Sequence, residues 1–223
     1  MKNYIITIAR GYGSGGKQIA MQLAKELGIE CYEHRILALA AQYSGYDEQE
    51  FQRNDERLRG SYLVNKLAEI PLRLAATPEE KSFRELQSEH VRCFKYQEKI
   101  IQNLAASESC VIVGKAADYV LKDYDNVISI YIEAPREFCV KRIMNRTGVS
   151  EEQANKDIEM TDKYRAEYYA YFTGESNWML PTNYDLTINS GRVGKVDDLS
   201  ECVRMIEYYL NRKFGVEIPK HEV

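Results

Sequence analysis

The stretch Tyr4–Leu27, YIITIARGYGSGGKQIAMQLAKEL, constrains this chain more tightly than any other. Gly11, Gly13, Gly15 and Gly16 crowd one turn between a short apolar run and a helical pattern. Glycine is entropically costly to order, and it concentrates where backbone must take a positive φ or admit a ligand closely. The run before the turn, residues 3–9, reads as a strand. The run after it carries Ile19, Leu23 and Leu27 at four-residue spacing, with Gly28 placed to end a helix. Strand, glycine turn and helix in that order predict a loop that offers backbone N–H groups at a helix N-terminus, where anions bind.

Two readings of the loop compete. Gly11, Gly16 and Lys17 fit G-x-x-x-x-G-K. In that phosphate-binding loop, Gly11, Gly13, Ser14, Gly15, Gly16, Lys17 and Gln18 surround a triphosphate, and Lys17 reaches its β and γ oxygens. Gly11, Gly13 and Gly16 also fit the G-x-G-x-x-G of a dinucleotide fold, and Glu33 supplies an acid after a second strand. Lys17 has no task in a dinucleotide site, so the phosphate-binding loop is favoured. A Ser or Thr after the lysine ordinarily gives its hydroxyl to Mg²⁺, whereas this chain has Gln18 and then Ile19. The apolar run at 110–114 also ends without an Asp to help hold the ion. Mg²⁺ is expected from the chemistry, but no residue is assigned as its ligand. Gln18 is left to bond a phosphate or a metal-bound water through its amide.

Downstream, short apolar runs at 29–32, 110–114, 127–133 and 184–189 alternate with helical segments. The region 34–107 reads as helical, with breaks near Ser44–Gly45, Gly60 and Thr77–Pro78. Pro135 opens a helix to about Arg146, and Gly148 breaks it. Ser150 then starts another over 150–172, with Gln153 placed for a capping box. A closing helix is expected over 196–213. Strands separated by helices predict an α/β fold with a parallel, doubly wound sheet. A net charge of −4 argues against a nucleic-acid partner. No apolar stretch reaches the ~20 residues of a membrane span, and the N-terminus lacks the architecture of a signal peptide. A cytoplasmic location without a membrane partner is therefore expected. Cys31, Cys93, Cys110, Cys139 and Cys202 form no C-x-x-C pair and read as reduced thiols. His34, His90 and His221 are scattered and suggest no metal site.

Three further stretches carry a family likeness: VIVGKAADYVL (111–121), EAPREFCVKRIMNRTGVSEEQA (133–154) and DKYRAEYYAYFTG (162–174). With the glycine loop, they make the chain resemble the cytidylate kinase-like family from Tyr4 to about Leu210. The resemblance implies a P-loop kinase, a three-layer α/β/α domain over 1–215 with a five-stranded parallel sheet and a tail at 216–223. It also implies a helical acceptor-binding insertion at 34–107 and a mobile lid near 142–150.

Candidate site residues follow position by position. Asp162 and Arg165 share one helical face at i and i+3. They resemble the D-x-x-R that grips the ribose and phosphate of the acceptor, across from the P-loop. A surface ion pair with neighbours such as Lys163 or Glu159 is the competing reading. Arg142 and Arg146 resemble lid arginines that act with Lys17 on the transferred phosphoryl group, whose spread charge suits planar guanidinium forks. The alternative is a solvated helix C-terminus that favours cations anyway. Lys115 stands where relatives tend to carry Arg, and Arg35 is a candidate for the acceptor's phosphate. Tyr164, Tyr168, Tyr171 and Phe172 form a stripe that reads as packing more than base stacking.

Two functions are carried forward. One is an ATP-dependent phosphotransferase acting on CMP or a related small acceptor. The other is a nucleotide-binding sensor or degenerate kinase, favoured by Gln18, Ile19, Val113 and Lys115. A GTPase is set aside because no NKxD motif is present.

Overall fold

A computed structural model of the chain describes residues 3–45, 49, 78–175 and 177–218. Five strands are present among them: β1 Ile5–Arg10, β2 Glu30–Tyr32, β3 Cys110–Val113, β4 Val127–Glu133 and β5 Leu186–Asn189. The longer helices are α1 Gly16–Leu27, α2 Arg35–Ser44, α3 Pro78–Ser107, α4 Ala117–Val120, α5 Arg136–Thr147, α6 Glu151–Thr173, α7 Ser190–Val193 and α8 Ser200–Phe214. The break expected at Gly60, and Thr77 with it, lies outside the described residues. So do positions 219–223 of the tail expected from 216 onward. Contacts divide the chain into two units, Met1–Glu33 with Ile101–Val223, and His34–Ile100.

The first unit holds the sheet, ordered β2-β3-β1-β4-β5 with every pairing parallel. β1 lies in the middle, and its Ile5, Ile6 and Ile8 are fully buried. That is why its sequence is a continuous apolar run with no polar alternation. On one face Ile6, Ile8, Val111, Val113, Ile128, Ile130 and Ile132 pack with Ile19 and Leu23 of α1 and with Val203, Ile206 and Leu210 of α8. The opposite face buries Ile5, Ile112 and Tyr131. There α4 lies against β1. Tyr131 stacks on Tyr184 at 5.3 Å and meets Trp178 edge-on at 5.6 Å. The result is the expected α/β arrangement around a five-stranded parallel sheet.

The topology fixes where a ligand can bind. β1 leads through α1 to β2 on one side, whereas β3 leads to β4 on the far side of β1. Adjacent strands whose connections diverge leave a crevice outside their carboxyl ends, the usual ligand site of open α/β sheets. Arg10 at the end of β1 and Gly114 just after β3 stand at that crevice.

The second unit contributes α2 and the first part of α3. In α2, Ile36, Leu37, Ala40 and Ala41 are buried, and Tyr43 meets Tyr96 of α3 at 6.3 Å. α2 ends at Gly45 and α3 begins at Pro78, as the punctuation of the sequence predicts.

Two local expectations are corrected. The Ser150 hydroxyl accepts the Gln153 N–H at 3.2 Å, but the Gln153 side chain turns to Asp157 at 2.7 Å, so only half of the capping box forms. The closing helix starts at Ser200, not near 196. There the Asp198 carboxylate accepts the Ser200 N–H at 3.0 Å, and Lys195 pairs with Asp198 in an isolated bridge. Asp198 lies one residue before the N-cap, Leu199, and takes up the first helical N–H, which has no acceptor within the helix. No helix among the described residues is long and apolar enough to cross a membrane.

Leu23 is fully buried between α1 and the sheet. Leu23→Ala is expected to lower unfolding stability by about 2–5 kcal/mol through lost transfer energy and a residual cavity. Denaturant titration measures it, and a loss well below that range would mean the α1 face repacks.

Candidate functional site

The loop between β1 and α1 is closed by its own hydrogen bonds. Gly11 N–H donates to Ile132 O at 3.0 Å, and Ser14 N–H to Gly11 O at 3.3 Å. The Ser14 hydroxyl also donates to Gly11 O, at 2.9 Å, while Ser190 donates to Ser14 O at 2.6 Å. Ser14 is fully buried. Its hydroxyl turns inward and braces the turn. Gly13 takes φ 87°, and a Cβ there would lie 2.7 Å from Cys139 Cβ. Only glycine lets the loop lie this close to α5. The first N–H groups of α1 have no intrahelical acceptor and open toward the crevice.

Cations converge on this turn from three directions. Arg10 pairs with Glu33 at 3.2 Å, and the other oxygen of Glu33 holds Lys17 Nζ at 2.5 Å. Burial pushes the Arg10 guanidinium down to about 10, opposed by Glu33. From the far side come α5 and α6, whose Cys139, Val140, Ile143, Ala154 and Ile158 form a small core with Tyr12 of the loop packed against it. Arg146 of α5 donates to the Tyr12 hydroxyl at 3.2 Å, with its guanidinium 5.6 Å from the ring centre. The Arg165 guanidinium lies 5.7 Å from the same ring. Two cations on one aromatic ring are favourable contacts for each. Arg142 donates to Gln18 Oε1 and to Val196 O, beside Gly15.

Asp162 and Arg165 are placed differently from the expectation. Asp162 accepts the Tyr12 N–H at 2.8 Å and pairs with Arg165 at 3.3 Å, while Arg165 donates to Arg10 O at 2.8 Å. They hold the P-loop directly and do not stand across from it. Burial raises Asp162 and lowers Arg165, outweighing in each case the pull of its partner. The pair is therefore short of solvation.

A model of the cytidylate kinase-like family matches residues 5–192. The chain belongs to the cytidylate kinase-like family. The solved structure of an uncharacterized protein from Eubacterium ventriosum is 28% identical to it, covers 95% of this chain and 99% of that one, and superposes with a TM-score of 0.68. Fainter likenesses are to a shikimate kinase from Bacteroides thetaiotaomicron (12% identical, 93% and 98% covered, TM-score 0.49) and to an APS kinase from Mycobacterium tuberculosis (16% identical, 94% and 98% covered, TM-score 0.45). No curated protein is matched by the chain.

In this member of the cytidylate kinase-like family the backbone after β3 is strained. Gly114, Lys115 and Ala116 take φ 73°, 60° and 52° in succession. Left-handed conformations at non-glycine residues cost roughly 1–3 kcal/mol each and need surrounding structure to hold them. Arg10 lies against the first of the three, since a Cβ at Gly114 would collide with Arg10 Nη1. The turn sets Lys115 Nζ 5.7 Å over the Tyr168 ring. The tyrosine stripe is mutual packing, with Tyr168 4.7 Å from Phe172 and Tyr171 4.8 Å from it. Arg35 is exposed at the start of α2, in the other unit.

Sequence reading missed Arg10 and Tyr12, and it took Glu33 only as a dinucleotide acid. A charged residue ending an otherwise apolar central strand was the available signal for Arg10. Nothing in the spacing marks Tyr12, because its role comes from a hairpin more than a hundred residues away in sequence.

Asp118 is buried and accepts the Tyr169 hydroxyl at 3.0 Å. Burial pushes its carboxyl from 3.8 up to about 6. The folded chain keeps a proton there that the unfolded chain releases, so this group's contribution to stability falls as pH rises between those two values. Asp118→Asn keeps an acceptor for Tyr169. It is expected to exceed the wild type in stability by up to about 3 kcal/mol at about pH 8, with the gain vanishing near about pH 4. Denaturant unfolding at both pH values measures this, and a gain independent of pH would absolve the carboxyl.

Proposed function

We propose that the protein is an ATP-dependent phosphotransferase that moves the γ-phosphoryl group of ATP to CMP or a related small acceptor. One observation carries this reading: Lys17 and the α1 N-terminus share a crevice with Arg142, Arg146 and Arg165 from the α5–α6 hairpin. Such a cluster suits a reaction whose catalysis is mainly positioning and charge.

Lys17 and the first turn of α1 would take the β and γ oxygens. An acceptor oxygen attacks the γ-phosphorus in line, and the bond to the bridging oxygen breaks, leaving its electron pair on ADP. Arg146 and Arg142 would meet the charge spread over the equatorial oxygens, each through a planar fork. A phosphate oxygen of CMP is already ionised and needs no base. Arg165 would face the acceptor's phosphate and Asp162 its sugar hydroxyls, with Lys115 adding charge nearby. Mg²⁺ belongs to the chemistry of such transfers, where it neutralises phosphate charge. The oxygens of Gln18 and Glu33 do not fit it, because they already accept from protein cations, and Asp162 has one oxygen on the Tyr12 N–H and Arg165. The roles above fall to the chain's own groups.

The engagement of Lys17 by Glu33 favours a second reading, a nucleotide-binding sensor with little turnover. ADP release on mixing ATP with a panel of nucleoside monophosphates separates the two. Release with CMP supports the kinase. Silence across nucleotides and other small metabolites, with ATP still bound, supports the sensor.

Lys17 is half exposed, with 51% of its side-chain surface accessible, and contributes little packing. Lys17→Ala is expected to weaken ATP binding by about 1.5–3 kcal/mol, roughly ten- to a hundredfold, and to leave the melting temperature nearly unchanged. Unchanged affinity in a calorimetric titration would overturn the P-loop assignment. Arg146→Ala should lower kcat far more than it raises the KM for ATP if the guanidinium acts on the transition state. A change confined to KM would make it a ground-state contact.

A further inference from the structure

Three oxygen-bearing side chains ring the phosphate loop, and each has at least one oxygen committed to a protein donor. Gln18 Oε1, at the position from which a hydroxyl ordinarily reaches Mg²⁺, accepts from Arg142. Glu33 spends one oxygen on Arg10 at 3.2 Å and the other on Lys17 at 2.5 Å. Asp162 Oδ1 accepts from the Tyr12 N–H at 2.8 Å and from Arg165 at 3.3 Å. The hydroxyls of Ser14 and Ser190 are fully buried and donate inward, Ser14 to Gly11 O and Ser190 to Ser14 O and Glu133 O. Among the described residues, no three His, Cys, Asp or Glu side chains come together as a metal-holding group.

The charge around the loop points the same way. Arg10, Lys17, Arg142, Arg146 and Arg165 face two carboxylates, Glu33 and Asp162, which leaves an excess of three positive charges. A divalent cation entering such a field is repelled, while a free triphosphate is attracted more strongly than one already half neutralised by a metal.

We propose that this chain holds the triphosphate of a nucleotide through its own cations and lends no ligand to a divalent metal, so that any metal present travels on the phosphates and water alone. Gln18 then has a different task from the hydroxyl it replaces: it anchors Arg142 beside the loop. The inference rests on the nucleotide reading above and deepens it, since the form of nucleotide preferred by the binding site is the metal-free one.

Calorimetric titration of the full chain with ATP, once in excess MgCl₂ and once in EDTA, tests it. Affinity in EDTA is expected to equal or exceed that in Mg²⁺, within about threefold. A loss of about tenfold or more in EDTA would overturn the proposal, because the protein would then be holding the ion. Gln18→Ala supplies a second measurement. If Gln18 serves Arg142, the variant changes ATP affinity by the same factor in both buffers. A loss seen only with Mg²⁺ would show Gln18 to be a metal or metal-water contact and would equally overturn the idea. Absence of ATP binding in both buffers would sink the nucleotide reading itself and the inference with it. Failure of the inference alone leaves binding intact in Mg²⁺.

Discussion

A guanidinium enclosed at the end of a central strand demands a counter-charge, and Arg10 meets that demand with Glu33 at 3.2 Å. Much of the crevice is arranged around this pair. Because Arg10 closes β1, its side chain lies over the end of the neighbouring β3, against Gly114, whose φ of 73° itself favours glycine. Because Glu33 follows β2, the same contact ties a third strand end to the first two. The second oxygen of Glu33 reaches Lys17, so a pairing that serves the fold also sets the resting position of the loop's lysine. The carbonyl of Arg10 accepts from Arg165, which brings α6 to the same point. Removing the charge of Arg10 would leave Glu33 to Lys17 alone and loosen the side-chain tie between the ends of β1 and β2.

The engaged state of the cations implies a cost to ligand binding. A triphosphate must compete with Glu33 for Lys17 and with the Gln18 amide for Arg142. The first competition is the more severe, because a charge-assisted contact with a partly enclosed carboxylate is stronger than one with a neutral amide on an exposed helix turn. In return, the lysine side chain is held in one region of space before the nucleotide arrives, which reduces the conformational freedom lost on binding.

Much of the fold was legible because its signals are local. The glycine run between an apolar strand and a four-residue periodicity defined β1, the loop and α1, and β4 matched its apolar run at 127–133. The start of α8 was misread because Asp198, two residues before Ser200, competes with the helix for the chain's N–H groups, and composition does not show which side wins. The loop that carries Lys17 was legible because strand, glycine run and helix follow one another in sequence. The site was illegible where partners meet through the fold. Ser14 belonged to the motif by its letters, yet Ser190 and Gly11 O claim it. Asp162 and Arg165 were visible as an i, i+3 pair. That the pair would grip the P-loop depends on how the α5–α6 hairpin packs over Tyr12, and no local pattern encodes that packing.

Tyr12 is where the two substrate sides of such a site would become one. Its N–H lies on Asp162, its hydroxyl on Arg146, and its ring between Arg146 and Arg165. A group that draws Arg165 or Asp162 toward an acceptor must therefore shift Tyr12, and with it the turn proposed to receive ATP. A group that rearranges the turn must in the same way displace Arg146 and Arg165. Thermodynamic linkage makes the relation reciprocal: whatever factor ATP applies to acceptor affinity, the acceptor applies to ATP affinity. The coupling has a physical carrier in one aromatic ring and one amide. Its sign depends on whether the bound state keeps the Asp162–Tyr12 hydrogen bond or exchanges it for a phosphate oxygen at the same N–H.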